Sequence, residues 1–224
     1  MFILMIYKNA DELIKHEITL SLRRTLYPII QIGEQVFREL YKNNYAILSS
    51  KYFKPILPRI RTKAIYYQFE LDLLPENFPF KCRMKKTNNF GEYVPELSAG
   101  NIFLHIASAK DKDSLPSRSR YKLESSYCNN FDEKQTIFDF TDQSNPAIKD
   151  DKYYGIITYG GADTLEFLNL IIPNCKFEKI LSSLDLKLEL KSVKISSEDK
   201  DTKKKGIKIR DTILKELLNE EKRL

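Results

Sequence analysis

Residues 65–73, IYYQFELDL, place Ile65, Tyr67, Phe69, Leu71 and Leu73 at every second position, with Tyr66, Gln68, Glu70 and Asp72 between them. A period of two puts one set on each face of a pleated strand. Beyond a loop bounded by Pro75 and Pro79, Phe80, Cys82 and Met84 alternate with Lys81, Arg83 and Lys85. The connection is short, so the two runs predict an antiparallel pair, with Glu70 set against Lys81 or Arg83 across the strands.

Upstream the period is helical. Asp11 is a plausible N-cap, and Ile14, Ile18, Leu22 and Leu26 follow at i, i+4 spacing until Pro28. Ile32, Val36, Phe37, Leu40 and Tyr41 repeat the pattern, and Asn43-Asn44 closes it. A helix-turn-helix is the less favoured reading, because a Pro stands where a tight turn is needed.

Downstream, Asn101–Ser108 (NIFLHIAS), Thr136–Phe140 and the apolar Tyr153–Tyr159 (YYGIITY) read as strands. Gly160-Gly161 marks a turn, with a partner strand over Leu165–Ile172 that Pro173 stops. Phe177, Ile180, Leu181 and Leu184 suggest a short helix, and Leu186, Leu188 and Leu190 a final strand. The stretch Ser196–Lys205 (SSEDKDTKKK) lacks apolar residues, and Ile209, Ile213, Leu214, Leu217 and Leu218 then form a helical stripe.

This order predicts an α+β fold: N-terminal helices, a largely antiparallel sheet, and a C-terminal amphipathic helix after a charged linker. A single globular domain spans 1–194, helical over about 1–44 and sheet over about 60–191. The linker is 195–206 and the helix 207–224. Regular βαβ alternation is absent, which disfavours a doubly wound nucleotide fold.

A hydrophobic content of 42% supports a substantial core, and charged residues at 30% leave disorder only to short stretches. The apolar start MFILMIY is too short for a signal sequence or a membrane span, so a cytoplasmic protein with no membrane partner is expected. Cys82, Cys128 and Cys175, with only His16 and His105, cannot supply a closed zinc site locally. Three reduced, mostly buried thiols are the expectation, with no metal and no cofactor.

The net charge is +6, but Lys outnumbers Arg 27 to 10, a bias that an AT-rich genome produces by itself. Position is more informative. Lys51, Lys54, Arg59, Arg61, Lys63, Lys81, Arg83, Lys85 and Lys86 face only Glu70, Asp72 and Glu76 within that segment, an excess equal to the whole chain's. Tyr52, Phe53, Tyr66, Tyr67, Phe78 and Phe80 interleave with them. Cations neutralise phosphates and exposed rings stack on unpaired bases, which suits RNA or single-stranded DNA. The plainer alternative is a solvated lysine surface over core-facing aromatics.

Catalytic signals are weak. Seven Gly form neither of the common phosphate loops, and Asp163 after Gly160-Gly161 would repel a phosphate. His105, with Arg118, Arg120, Tyr121 and Lys122 downstream, could serve metal-free RNA cleavage, but a hydrogen-bonded sheet histidine is the plainer reading. Glu189-Leu190-Lys191 and Asp185-Leu186-Lys187 have the E/D-x-K form of metal nucleases, yet usually such alternation is a solvated strand face. The sequence thus favours a non-enzymatic nucleic-acid-binding or regulatory protein. The runner-up is a protein–protein interaction component of an accessory, defence or phage/mobile-element kind, with a second chain or copy held through the C-terminal stripe. A nuclease-like toxin comes third.

Overall fold

The computed structural model describes residues 6–131, 152–162 and 164–187. They belong to two compact units, one drawn from Met1–Leu20 and Phe80–Asp185, the other from Ser21–Pro79 and Leu186–Leu224. In chain order the helices are α1 (Ala10–Glu17), α2 (Leu20–Asn43), α3 (Tyr45–Leu48), α4 (Leu57–Tyr67) and α5 (Arg120–Ser126). The strands are β1 (Lys81–Lys86), β2 (Tyr93–Ala99), β3 (Ile102–Ser108), β4 (Tyr153–Gly160), β5 (Phe167–Pro173) and β6 (Ile180–Asp185). Helices together with a six-stranded, mostly antiparallel sheet make the fold α+β.

In the first unit the strands lie in sequence order, β1 through β6. Neighbours run antiparallel except β3 and β4, which are parallel. A parallel pair needs a long crossover, and the connection from Ser108 to Tyr153 carries α5 within it. One sheet face presents Phe103, Ala107, Tyr154, Ile156 and Ile171, against which Phe177, Leu115, Leu123 and Cys128 pack. The other presents buried Ile102, Leu104, Ile106, Tyr153, Ile157 and Leu170. On that side the Tyr7 ring meets Tyr153 edge-on at 5.5 Å. Burying each such Leu or Ile contributes roughly 1.5–3 kcal/mol.

In the second unit α2 and α4 approach closely. A Cβ on Gly33 would stand 2.6 Å from Ile65 Cα, so only glycine allows the backbones to meet there. Arg61 Nε donates to Glu34 Oε1 at 2.5 Å across the same helix pair, and Glu34 is buried.

Several sequence expectations need correction. Residues 65–73 are not a strand: α4 runs through Tyr67, and a 3₁₀ turn covers Leu71–Leu73. The end of α4 buries Ile65 and Tyr66, the turn after it buries Phe69, and Tyr67 and Leu71 are left 57% and 68% exposed. The strand reading would have buried both. Glu70 therefore does not oppose β1; Arg83 pairs with Glu96 of β2 instead.

Pro28 does not end a helix, because α2 passes through it. The ring removes the bond to the Arg24 carbonyl, about 3 kcal/mol in a helix interior, but Leu26, Ile29 and Ile30 around it are buried, and their combined burial is larger. The break falls instead at Ile18, after α1, whose N-cap is Asn9 rather than Asp11. Asn9 Oδ1 accepts the Glu12 N–H at 2.9 Å while Glu12 Oε2 accepts the Lys8 N–H at 2.7 Å, a reciprocal cap.

The segment around Phe177–Leu184 is not helical; Ile180–Asp185 is the strand β6, paired antiparallel to β5. β2 was not anticipated at all. Pro95 lies within it, and a proline lacks the N–H that a central strand normally donates. The cysteines are half-buried thiols rather than mostly buried ones. The expected strand 136–140, the strand residues Leu188 and Leu190, the linker and the stripe Ile209, Ile213, Leu214, Leu217, Leu218 lie outside the described residues.

Candidate functional site

β1, β2 and β3 set Arg83, Glu96 and His105 in one cross-strand row, Arg83 opposite Glu96 and Glu96 opposite His105. Residues opposite one another share a face and touch. Glu96 and His105 are both buried. Arg83 Nε donates to Glu96 Oε1 at 2.6 Å, and its Nη2 reaches the same oxygen. Lys85 Nζ and His105 Nε2 each stand 3.0 Å from Oε2. On the far side of the imidazole, His105 Nδ1 is 3.1 Å from the Tyr154 hydroxyl.

The protonation pattern follows from these partners. Burial pushes the Glu96 carboxyl up, but hydrogen bonds from His105 and Lys85 and the Lys85 charge outweigh it and hold the group at about 2. Burial holds His105 below its ordinary value, and the Lys85 and Lys122 charges act in the same direction against the Glu96 bond. A neutral imidazole beside an ionised carboxylate carries its proton on Nε2, so Nδ1 accepts from Tyr154 O–H. Asn129 fixes Tyr154 in turn. Its Nδ2 donates to the Tyr154 and Pro173 carbonyls, and its Oδ1 accepts the Tyr154 N–H, each at 2.8 Å.

α5 adds two side chains beside this row. The Tyr121 ring meets His105 edge-on at 5.5 Å, and burial raises its hydroxyl to about 12. Lys122 is buried, and burial lowers its ammonium to about 8. Its Nζ donates to the Ser117 carbonyl at 2.7 Å and lies 5.7 Å from the Tyr121 ring centre. Among the described residues it has no carboxylate partner.

The second unit offers a different surface. From Leu40 to Phe69 the sequence contains no Asp or Glu, but it contains Lys42, Lys51, Lys54, Arg59, Arg61 and Lys63. Arg61 is engaged by Glu34. Lys51, Lys54, Arg59 and Lys63 are exposed, as are Tyr45, Tyr52, Phe53 and Tyr67. Tyr52 is the most open of these rings at 76%, and Lys51 Nζ stands 5.1 Å from its centre. Partial burial and the Arg59 charge together hold the Lys63 ammonium below its ordinary value.

The nine basic residues singled out in the sequence thus divide between the two units. Lys51, Lys54, Arg59, Arg61 and Lys63 lie in the second; Lys81, Arg83, Lys85 and Lys86 line β1 in the first. Three of the nine, Arg61, Arg83 and Lys85, are bound to buried carboxylates. Of the weak catalytic set, His105 and Tyr121 are in contact, whereas Arg118 is exposed and Arg120 is exposed and paired with Glu124 at 2.7 Å. Asp185 ends β6, and Glu189 lies outside the described residues. Among the described residues no group of three or more His, Cys, Asp or Glu could hold a metal, and no helix is long and apolar enough to cross a membrane.

Sequence reading missed Glu96 and Tyr154. The signal for Glu96 was a lone acid within the apolar run Val94–Leu97, which must find a cation if that run is buried. No protein-family model matches the chain, and no curated protein or solved structure matches it either.

Proposed function

We propose that the chain is a non-enzymatic nucleic-acid-binding protein of the cytoplasm that takes single-stranded RNA or DNA on the α3–α4 surface of its second unit. One observation carries this reading: exposed aromatic rings stand among exposed cations in a thirty-residue stretch without a single carboxylate. Lys51, Lys54, Arg59 and Lys63 supply phosphate partners, and Tyr45, Tyr52, Phe53 and Tyr67 supply stacking faces. The like-charge crowding of Lys63 by Arg59 is relieved when a phosphate approaches. Lys81 and Lys86 of β1 would add to the field of the first unit, whereas Arg83 and Lys85 are held by Glu96.

The test is a filter-binding or mobility-shift titration with single-stranded oligonucleotides over a range of salt. The log of the binding constant should fall against log salt with a slope of roughly −0.7 per phosphate neutralised. Absence of binding at low salt would sink the proposal.

A second reading, a protein-interaction component, draws on a separate observation: Ile47 and Ile56 are 58% and 43% exposed on the same stretch. An accessory or mobile-element setting, with a partner held by the C-terminal stripe, belongs to that reading. A nuclease is the least favoured. His105 is fully buried with both ring nitrogens engaged, which leaves no nitrogen to take a proton from a substrate.

A further inference from the structure

The β1–β2 hairpin ends in a loop that is closed by its own hydrogen bonds. Lys86 and Tyr93 are the last cross-strand pair. Beyond them, the Thr87 N–H donates to the Glu92 carbonyl at 2.8 Å, and the Thr87 hydroxyl donates to the same oxygen at 3.1 Å. Asn88 Oδ1 accepts the Phe90 N–H at 2.9 Å and the Glu92 N–H at 3.1 Å, and Gly91 takes a φ of +77° that favours glycine. These bonds are made by backbone groups and by the Thr87 and Asn88 side chains, so the Phe90 ring has no part in closing the turn. It is 95% exposed, more than any other large apolar side chain among the described residues. Half-exposed Tyr93 lies opposite exposed Lys86. Opposite residues share a face of the ribbon, so a second ring and a cation stand together at the foot of the loop.

We propose that this hairpin end is a second contact for single-stranded nucleic acid, in which Phe90 stacks on an unpaired base and Lys86 meets a neighbouring phosphate. A ring carried on a closed turn loses little freedom on binding, which favours stacking. The charge fits a polyanion. From Lys81 to Glu96 the hairpin has four cations, Lys81, Arg83, Lys85 and Lys86, against two carboxylates, Glu92 and Glu96. Arg83 and Lys85 are held by Glu96, which makes Lys86, next to the loop, the cation best placed for a phosphate. The neighbours of the ring favour a base over a lipid surface. Asn88, Asn89 and Gly91 flank Phe90 and are exposed. A bilayer would strip water from their polar groups around a single apolar side chain, whereas a base covers the ring alone and offers the amides hydrogen-bonding partners. The hairpin belongs to the first unit, so the proposal does not rest on the α3–α4 surface.

The sequence contains no Trp, so Phe90→Trp places a single fluorescent indole at the tip of the full chain. The site is exposed, and the exchange should leave the unfolding midpoint unchanged. Titration with a single-stranded oligothymidine at low salt should quench the indole emission saturably, as a base stacks on it, and added salt should reverse the quench. In the otherwise native chain, Phe90→Ala should weaken binding of that oligonucleotide at least about fivefold and leave the salt slope unchanged. Lys86→Gln should make the slope shallower by about 0.7. A quench that persists when Lys51, Lys54 and Arg59 are reversed to Glu supports the hairpin contact whether or not the α3–α4 surface binds. The proposal is overturned if the emission is unchanged at saturating oligonucleotide, including when the strand is bound elsewhere, or if Phe90→Ala binds as tightly as the wild type. It is also overturned if the indole ignores the strand and shifts to the blue with vesicles of anionic phospholipid, which would make the partner a membrane surface.

Discussion

β1 and the α3–α4 surface are both rich in Lys and Arg, yet their cations are held differently. On β1, Arg83 and Lys85 converge on Glu96, whose carboxylate is buried behind them. From α3 to α4, Lys51, Lys54, Arg59 and Lys63 are exposed in a stretch that contains no carboxylate, whereas Arg61 is drawn inward by Glu34. The same residue types therefore serve two ends. Cations pinned by a buried acid have fixed directions and tie neighbouring strands together. Exposed cations in a stretch of sequence without carboxylates suit a long, irregular polyanion.

The sharpest way to break this comparison is Glu96→Gln. It leaves Arg83 and Lys85 without their counter-charge and takes the ionised acceptor from His105. A loss of roughly 3–5 kcal/mol is expected in denaturant unfolding, as when one partner of a buried ion pair is removed. A loss below about 1 kcal/mol would show that β1 is held no more firmly than an ordinary surface pair.

Acid should act on the same residue, slightly less strongly. Glu96 has its carboxyl lowered in the fold to about 2 from an ordinary 4.5, so its contribution is present above pH 4.5 and fades as pH falls toward 2. The shift corresponds to about 3 kcal/mol at most. His105 adds an earlier arm in the same direction. Its folded value is depressed, so the unfolded chain takes up the proton first, and stability begins to fall below about pH 6.5. Unfolding midpoints at pH 7.5, 5.5 and 3.5 measure both arms. Glu96→Gln should flatten the lower one, and an unchanged lower arm would place the titration elsewhere.

The smallest stability effect belongs to the other region. Reversing Lys51, Lys54 and Arg59 to Glu should change the unfolding free energy by only about 0.5 kcal/mol per site or less, because these side chains are exposed. Single-strand binding should nevertheless drop by at least about tenfold, with a shallower salt slope. Tyr52→Ala should weaken binding without changing that slope, since a ring contributes stacking rather than charge. If the triple reversal unfolds the protein while leaving binding intact, the two regions have been assigned the wrong way round.

Much of the sheet could be read from local pattern. β1, β3, β4 and β5 follow from alternation, apolar runs and the Gly160-Gly161 turn, because a half-buried or fully buried strand must look apolar at a period of two or throughout. The N-terminal helices were legible as helices, although not their boundary. Where reading failed, two periods were compatible with the same residues. IYYQFELDL alternates perfectly, yet in space Ile65, Tyr66 and Phe69 face inward together, because α4 packs on α2 where Gly33 admits it. β6 failed in the opposite sense, since Ile180, Leu181 and Leu184 also fit a helical spacing.

The candidate sites divide along the same line. The sequence by itself determined the charge of each segment, the carboxylate-free stretch from Leu40 to Phe69, and the scarcity of His, Cys and Gly that disfavours zinc sites and standard phosphate loops. Only the tertiary structure decided which cations are held and which stand in solvent. Arg83 and Glu96 are thirteen residues apart, and His105 and Tyr154 forty-nine. They meet through strand register, a non-local property fixed when whole faces of the sheet are buried together, and no window of sequence contains it.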